Sequence, residues 1–478
     1  VFLLERAPFS FPSLNPTSSP AQEVIPNPFG PPTRLEWQRL WAAWDFITLE
    51  MIPPSMLHQK PIDLRHKCLF YIGHIPTFLD MLLSHLFKQP YSEPKNFTRI
   101  FERGIDPHVD DPEYCHSHSE VPEKDEDWPV LEEILAFRDR VRARLMSLYD
   151  DLDAGRRHIS RRIARVLQMT LEHEGFHIEA SYCVFQQTLL YMLIQRAGTG
   201  TLPPPGFTRP AWTDLKRRWA AIPPPSSTSV IVGPSTLVLG HDDAESNDLD
   251  SSLCDDVADH EFGWDNESPR REVVVERFKI DFRPISNGEY FAYWKAQQTA
   301  NTPPALPASW VRVNQDIYVR TVYGPVPIEV AESWPVLAAY DELNAFAKSK
   351  GGRIPSESEL RLFLDQYQVD FEHGANEAFR NWHPVAATAG LLDEANGKGS
   401  NGGVWEWTST EFAGHEGFDP TTIFPGYSSD FFDGVHQVVL GASYATIPRL
   451  AGRRTVRNFY QRNYPYAWVG ARVAYDMN

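Results

Sequence analysis

The sequence predicts an α+β protein in which a helical first part is followed by a β-rich second part. Apolar residues at three- and four-residue spacing form long runs only within residues 34–200. Proline-rich segments interrupt this pattern between residues 201 and 227. Beyond them, short β-branched runs at 229–232 and 272–275 occur together with two helical segments, near 287–297 and 340–348. We therefore expect two domains joined by a linker.

The expected organisation divides the chain into four segments. These are a leader at 1–33, a helical bundle at 34–200, a linker at 201–227 and a C-terminal domain at 228–478. The leader is rich in proline and serine and has little periodicity. A chain of 478 residues is longer than one hydrophobic core usually supports. No apolar run approaches the roughly 20 residues that span a bilayer.

Composition excludes several classes of function. The formal net charge of −18 argues against a nucleic acid or an anionic membrane as partner. The four cysteines, at positions 68, 115, 183 and 254, show no CxxC spacing, which favours a reducing, cytoplasmic location. No phosphate-binding glycine loop or GxSxG turn is present. The acidic stretch from 242 to 265 is expected to form a solvated loop.

Four long helices are predicted in the first part, with a long crossover between the second and the third. Their expected ranges are 35–51, 65–87, 130–152 and 159–196. Four-helix bundles often build metal sites from inward-pointing side chains on facing helices. The fourth helix contains the sequence His-Glu-Gly-Phe-His-Ile-Glu at 173–179.

Three histidines are candidate metal ligands. His173 and His177 are four residues apart, so on a helix they project from the same side. His74 lies on the apolar face of the second helix and is the expected third ligand. Glu179 lies about 200° around the axis from His177, so we expect it to orient a neighbouring group or to pair with another helix.

The residue types leave the metal and the role of the histidines open. An HxxxH pair also fits partly exposed or hydrogen-bonded core histidines. Three imidazoles without a thiolate suit zinc, iron, nickel or copper, so the donor set does not select one of them. A three-histidine site keeps coordination positions free, which suits either an activated water on zinc or dioxygen chemistry on iron.

Several motifs occur in a characteristic order along the chain. After the His74 helix and the histidine motif at 173–179 come GRIPSESEL at 352–360, GVWEWT at 403–408, GASYAT at 441–446 and WVGAR at 468–472. This order resembles the sulfoxide synthases of ergothioneine biosynthesis. It implies a DinB-like four-helix bundle followed by a formylglycine-generating-enzyme-like domain, which is a C-type-lectin-like fold.

The resemblance implies an iron(II)- and O₂-dependent oxidoreductase. Such an enzyme joins a thiol sulfur to C2 of the imidazole of hercynine and gives a sulfoxide. The fungal type is the most similar; its thiol donor is thought to be free cysteine, and a histidine methyltransferase precedes the synthase. That methyltransferase is absent from this sequence, so we expect a separate or missing one. The resemblance places Fe²⁺ on His74, His173 and His177.

The resemblance also implies further site residues. Tyr427 corresponds to a tyrosine near the iron that donates a proton or an electron. Arg103 is the expected clamp for a substrate carboxylate. Pocket-lining residues are expected at Asn458, Phe459 and Tyr460. Phe459, Tyr460 or Trp405 would offer an aromatic face to the quaternary ammonium of hercynine, and Glu179 would support the metal ligands from outside.

This sequence departs from bacterial members of the family in the expected pocket. Phe176 stands where those members often have a substrate-contacting glutamine, and Tyr460 stands where they have an acidic residue. The change at Tyr460 is consistent with a different thiol donor. Ala442 and Tyr444 replace the usual glycine and tryptophan of their motif, which we interpret as tolerated core changes.

Alternative functions remain open from the sequence. One is a DinB-type zinc- or nickel-dependent thiol S-transferase, although such enzymes need no lectin-like domain. Another is a non-catalytic binding protein with a vestigial site. A formylglycine-generating activity is disfavoured because no cysteine follows Cys254. The sequence does not decide between cysteine and γ-glutamylcysteine as donor, and it does not give the oligomeric state.

Overall fold

The computed structural model describes most of the chain. The described residues are 9–14, 29–60, 62, 64–179, 210–223, 225, 227–253, 257–390, 397–466 and 468–477. Neither Cys68 nor Cys115 is in a disulfide, and the other two cysteines lie outside this set. None of the helices in these ranges combines the length and the apolar character that a bilayer crossing requires.

The helical part contains the four long helices that the periodicity predicts. In chain order its helices are α1 (Arg34–Asp45, continued by a π-helix over Phe46–Met51), α2 (Cys68–Phe87), the short α3 (Phe97–Phe101), α4 (Leu131–Asp153) and α5 (Arg161–Ile178). Helix α2 packs against α4 and α5, and α1 packs against α5. The predicted continuation of the fourth helix from 180 to 196 lies outside the described residues.

Local sequence determines where two of these helices begin. The Thr33 hydroxyl accepts a hydrogen bond from the Glu36 backbone N–H, and the Glu36 carboxylate accepts one from the Thr33 N–H. This reciprocal capping box satisfies two N–H groups that would otherwise lack partners at the start of α1. Ser160 caps α5 in the same position by accepting from the Ile163 N–H.

A helix lies inside the segment predicted as a linker. Helix α6 spans Trp212–Ala220, and its Leu215 and Trp219 side chains are buried. The ring of Trp219 meets that of Trp334 in the C-terminal part at 5.5 Å between centroids. The helix is stabilised by burial of its apolar face. In the sequence, the flanking prolines make this segment look like a linker. Residues 201–209 of the predicted linker lie outside the described ranges, and the domain boundaries stay a prediction.

The C-terminal part is β-rich, as predicted. Within the described residues its strands form four small sheets with the orders β1-β4-β12, β10-β9-β8-β11, β2-β3 and β5-β6-β7. The strands are β1 (Ser229–Val232), β2 (Ser235–Leu239), β3 (Arg271–Val275), β4 (Phe278–Asp281), β5 (Trp310–Val313), β6 (Asp316–Val319), β7 (Val326–Pro327), β8 (Trp405–Glu411), β9 (His436–Gly441), β10 (Asn458–Gln461), β11 (Val469–Gly470) and β12 (Ala474–Asp476). The helices are α7 (Asn287–Gln297), α8 (Tyr340–Ser349), α9 (Glu357–Tyr367) and α10 (Pro448–Gly452).

The C-terminal motifs have structural roles in this part. In GRIPSESEL, Ser356 and Glu359 form the capping box that begins α9. In GVWEWT and WVGAR, Glu406 of β8 and Arg472 form an ion pair at 2.6 Å between side chains that are both fully buried. A buried charge is tolerated because the partner and its hydrogen bonds replace water.

Part of the acidic stretch from 242 to 265 is buried, which differs from the solvated loop that its composition predicts. Arg165 of α5 binds both carboxylate oxygens of Asp243, at 2.6 and 2.7 Å, and also pairs with Asp248 at 2.6 Å. The side chains of Asp243 and Asp248 are 1% and 0% exposed. These two aspartates therefore pack on the bundle, because α5 supplies a buried guanidinium that composition alone does not reveal.

Candidate metal centre

Helices α2 and α5 bring His74, His173 and His177 together. The three side chains are 3%, 6% and 4% exposed, and one ligand atom from each lies within 4.8 Å of the others. In the described part of the chain this is the single cluster of at least three histidine, cysteine or acidic side chains with that spacing. The role of these three histidines as metal ligands stays a prediction.

The ε nitrogens of the histidines point at one another. The Nε2 atoms of His74 and His173 are 3.3 Å apart, and those of His173 and His177 are 3.2 Å apart. Two nitrogens that bind one ion at ~2.0–2.2 Å lie roughly 3.0–3.5 Å apart. The cluster therefore fits a metal ion bound through three Nε2 atoms.

The other ring nitrogen of His74 is held by the backbone. Nδ1–H of His74 donates to the carbonyl oxygen of Phe101 at 2.7 Å, which makes Nε2 the unprotonated nitrogen of the neutral ring. This contact requires α2 to approach α3 closely. A Cβ at Gly73 would lie 2.7 Å from the Phe101 ring, so the glycine before His74 permits the approach.

The centre is enclosed by aromatic rings. Phe78 stacks on His173 with 3.8 Å between ring centroids, and Phe70 stacks on His74 at 5.4 Å. Burial lowers the pKa of His74 to about 4, and burial also lowers the pKa of His173 and His177. The three imidazoles are therefore neutral near pH 7, which is the form that binds a metal.

Glu179 connects the histidine helix to the C-terminal part. Its Oε1 accepts hydrogen bonds from Trp405 Nε1 at 2.6 Å, from Ser443 Oγ at 2.6 Å and from the Thr446 hydroxyl. These three partners belong to the GVWEWT and GASYAT motifs. These hydrogen bonds join Glu179 to the C-terminal part, and its predicted role in supporting the metal ligands stays a prediction.

Tyr427 lies in a loop that packs close to the centre. Phe424, three residues earlier, meets Phe78 at 5.0 Å between ring centroids, and Phe78 in turn stacks on His173. Tyr427 itself is 3% exposed and stacks on Trp264. Burial raises the pKa of Tyr427 well above its usual value, and the nearby Glu172 carboxylate adds to the rise while Arg453 opposes it. The phenol is therefore protonated at neutral pH.

Comparison with known proteins finds a matching family model for the helical part and relatives that align with most of the chain. Residues 33–181 match the family model of the DinB superfamily. Ergothioneine biosynthesis protein 1 of Neurospora crassa is 39% identical over 93% of this chain and 58% of its own length. The protein of the same name from Schizosaccharomyces pombe is 36% identical over 92% of this chain and 56% of its own length.

The chain is a relative of the ergothioneine biosynthesis proteins. A hercynine oxygenase of Mycobacterium tuberculosis is also similar, with 27% identity over 46% of this chain and 58% of its own length. The resemblance inferred from the motifs and the DinB-like bundle are thereby confirmed. The chain spans less than 60% of the length of each of the two fungal proteins.

Arg103 lies beside the Tyr427 loop. Its Nη2 donates to Asp430 Oδ2 at 2.8 Å, and its guanidinium lies 5.8 Å from the centre of the Phe424 ring. The Arg103 side chain is 18% exposed. Arg103 therefore lies at the edge of the site and already pairs with the carboxylate of Asp430. Its role as a substrate clamp stays a prediction.

Asn458, Phe459 and Tyr460 are consecutive residues of strand β10, all of them buried. Successive residues of a strand point to opposite faces of the sheet. Phe459 stacks on Phe412 at 3.8 Å, whereas Tyr460 meets Trp407 at 6.1 Å. Phe459 and Tyr460 therefore contribute to different sides of the sheet, and a single ligand on one face would meet only one of these two rings.

Sequence reasoning missed two groups at the centre. Trp264 lies at the end of the acidic stretch, where we expected only a solvated loop. The Glu172–Arg453 ion pair joins residues that are 281 positions apart in the sequence. A signal for Glu172 was available, because this carboxylate directly precedes His173 on a helix whose neighbouring positions are buried. A buried carboxylate predicts a basic partner, although the sequence does not say which one.

Proposed function

We propose that this chain is an iron(II)- and O₂-dependent sulfoxide synthase that joins the sulfur of cysteine to C2 of the hercynine imidazole. The observation that carries the proposal is the convergence of three buried histidine Nε2 atoms in a chain 39% identical to an ergothioneine biosynthesis protein. The similarity to hercynine oxygenases adds the expected substrate and co-substrate. In this reaction one oxygen atom ends on sulfur, and the other leaves as water with the C2 and thiol hydrogens.

His74, His173 and His177 would hold the iron. Ferrous iron bound there would supply open coordination positions and the electron chemistry that dioxygen requires. An imidazole-only donor set also accepts zinc, nickel or copper, so the identity of the metal is the finer part of the proposal. The hydrogen bond from His74 to the Phe101 carbonyl fixes the ring in the orientation that offers Nε2.

The residues around the centre would orient the organic substrates and move protons. Arg103 would bind a substrate carboxylate through its fork of N–H donors. The phenol of Tyr427, like that of an ordinary tyrosine, is protonated at neutral pH, and it would act as a proton donor at the reacting atoms. Phe459 or Tyr460 would contact the trimethylammonium group, which favours an aromatic face by ~0.5–2 kcal/mol.

The proposed partners are small molecules: hercynine, cysteine and dioxygen. A histidine methyltransferase, either in a separate chain or in the part of the fungal relatives that this chain does not span, would supply hercynine. The net charge of −18 gives no support for nucleic acid or an anionic membrane as a partner. A cytoplasmic location, proposed from the cysteine usage, stays a prediction.

Metal loading followed by turnover tests the proposal. The metal-free chain is loaded anaerobically with one equivalent of Fe²⁺, mixed with hercynine and cysteine, and then exposed to air. Mass spectrometry should show the hercynyl-cysteine sulfoxide and one O₂ consumed per product. Zinc-loaded chain is the matched control and should give no sulfoxide. Replacement of cysteine by γ-glutamylcysteine under the same conditions identifies the thiol donor.

Other outcomes of this experiment identify the alternatives. Thiol transfer by zinc- or nickel-loaded chain without O₂ would indicate an S-transferase. Tight hercynine binding to the iron-loaded chain without turnover would indicate a binding protein. Either result would contradict the proposed synthase.

A further inference from the structure

Tyr427 is held from one side by a short segment that sequence reasoning did not connect to it. The ring of Trp264 stacks on the ring of Tyr427 with 4.1 Å between centroids and an interplanar angle of 19°. The next two residues, Asp265 and Asn266, both hydrogen-bond to the hydroxyl of Ser428. The tyrosine and its neighbour are thus both attached to residues 264–266.

Trp264 is fixed in turn by a buried ionic cluster. Its indole Nε1–H donates to Glu172 Oε2 at 2.9 Å, and its backbone N–H donates to Glu267 Oε1 at 2.9 Å. Arg453 binds both carboxylates, reaching Glu172 Oε2 at 2.7 Å and Glu267 Oε1 at 2.9 Å. The side chains of Glu172, Glu267 and Arg453 are at most 1% exposed. Such a fully paired cluster resists rearrangement, because a separated member would be left as an unpaired buried charge.

The same cluster adjoins the metal centre. Glu172 directly precedes His173 on α5, so the carboxylate that holds Trp264 and the imidazole of the centre are carried by consecutive residues. On the other side of the loop, Phe424 meets Phe78, which stacks on His173. The loop that carries Tyr427 is therefore linked to Glu172 through Trp264, and to His173 through Phe424 and Phe78.

We propose that Trp264, held by Glu172, Arg453 and Glu267, is a positioning residue that fixes the ring of Tyr427 relative to the histidine centre. The proposal rests on the proposed function, in which Tyr427 donates a proton to the reacting atoms. A phenol donates efficiently only from a fixed place, and a displacement of about 1 Å costs on the order of 10²-fold in rate. Trp264 acts through Tyr427 and has no contact with substrate in this proposal.

A double-mutant cycle on the iron-loaded full chain tests the proposal. Trp264→Leu removes the stack and the indole donor, and should lower kcat by about tenfold or more, within the range for a displaced general acid. The KM values for hercynine and cysteine should change by less than about twofold, since the tryptophan does not bind them. In the Tyr427→Phe background the same substitution should have almost no further effect. Equal losses of kcat in both backgrounds would overturn the proposal.

Two further variants separate positioning from general damage to the core. Trp264→Phe keeps an aromatic ring but loses the hydrogen bond to Glu172, and should recover part of the lost kcat. Trp219→Leu removes an equally buried tryptophan from helix α6 and should leave kcat unchanged. A loss of kcat in Trp219→Leu as large as in Trp264→Leu would show that the effect is unspecific.

A spectroscopic readout keeps the test independent of turnover. Fluorotyrosine is placed at position 427 of the full chain loaded with diamagnetic Zn²⁺, and its ¹⁹F signal is recorded. Trp264→Leu should shift and broaden the signal because the stacked indole is lost, whereas Trp219→Leu should not. An unchanged signal in Trp264→Leu would overturn the positioning role. If the iron-loaded wild type makes no sulfoxide while the signal behaves as expected, the proposed function fails and the positioning of Tyr427 stands.

Discussion

Glu179 Oε1 and Trp405 Nε1 are joined by a 2.6 Å hydrogen bond although the residues are 226 positions apart. Ser443 donates to the same oxygen at 2.6 Å. The carboxylate at the end of the histidine helix is thus a junction between the DinB-like bundle and the β-rich part. The junction lies two residues beyond His177, a proposed metal ligand.

Removal of this junction should destabilise the protein. Glu179→Ala leaves the Trp405 indole and the Ser443 hydroxyl buried without this acceptor, at a cost of about 1–3 kcal/mol for each group. We expect a lower melting temperature and a calorimetric transition split into two, one for each part. Scanning calorimetry measures both. Glu126→Ala, at an exposed glutamate, is the control and should leave the transition unchanged; a single unshifted transition for Glu179→Ala would contradict the prediction.

The ion pairs of Arg165 should be a second determinant of stability. Arg165→Met leaves the carboxylates of Asp243 and Asp248 buried without their main partner, which typically costs about 3–5 kcal/mol. Urea unfolding measures the loss. Arg162→Met on the same helix is the matched control, because Arg162 is 30% exposed and pairs with Glu245 at 3.0 Å. In Arg162→Met the free energy of unfolding should fall by less than about 1 kcal/mol. Equal decreases in the two variants would show that the acidic stretch is not anchored through Arg165.

Glu377 should make stability depend on pH. Burial raises the pKa of Glu377 from 4.5 to about 8, with the Asp370 and Glu179 carboxylates adding to the rise and Arg380 opposing it. Between these two values the folded state binds more protons than the unfolded state, so the free energy of unfolding falls as pH rises through this window. The slope contributed by one group approaches about 1.4 kcal/mol per pH unit.

The neutral variant Glu377→Gln isolates this contribution. Its free energy of unfolding should decline less than that of the wild type between pH 5 and pH 8, because glutamine does not titrate. Urea unfolding at about pH 5, 6.5 and 8 gives the comparison for each protein. Parallel pH profiles for the two proteins would show that Glu377 keeps an ordinary pKa in the folded state.

The sequence was most informative about helices, because their regular spacing of apolar residues can be recognised within one segment. Helical spacing predicted four long helices, and the i, i+4 spacing of His173 and His177 predicted their common direction. His74 could be added because the spacing of the aromatic and apolar residues places it on the inward face of the second helix. Motif order then predicted a β-rich second part, in which the tryptophan motif at 403–408 begins strand β8.

The contacts between distant segments were not predictable. Arg165, Asp243 and Asp248 are ordinary charged residues in sequence, and only the fold shows that they are buried together. The same holds for Trp264, whose importance depends on the stack with Tyr427, 163 positions away. A periodic pattern reports which face of one element is buried, but it contains no information on which element covers that face.

Arg103 should affect substrate binding more than catalysis if it clamps a carboxylate. Arg103→Met removes a charge-assisted hydrogen bond of about 1.5–3 kcal/mol, so KM for one of the two amino-acid substrates should rise about tenfold or more at constant iron content. Steady-state kinetics with each substrate varied in turn measures this. Asp430→Asn is the matched control: it removes the present partner of Arg103 and should leave KM unchanged or lower it. An identical increase in both variants would indicate that Arg103 serves only in the ion pair.

His74 should be essential for metal binding because helix α2 contributes it as one of the three proposed ligands. His74→Ala removes one of three donors and should weaken Fe²⁺ binding by more than the 10- to 100-fold that loss of an outer hydrogen-bond partner usually costs. Anaerobic titration with Fe²⁺, followed by metal analysis after gel filtration, measures this. His85→Ala is the matched control, because His85 lies on the same helix, is exposed and binds Tyr91 instead. Full iron content and sulfoxide formation in His74→Ala would refute the assignment of His74 as a ligand, whereas loss of iron in both variants would point to damage of helix α2 itself.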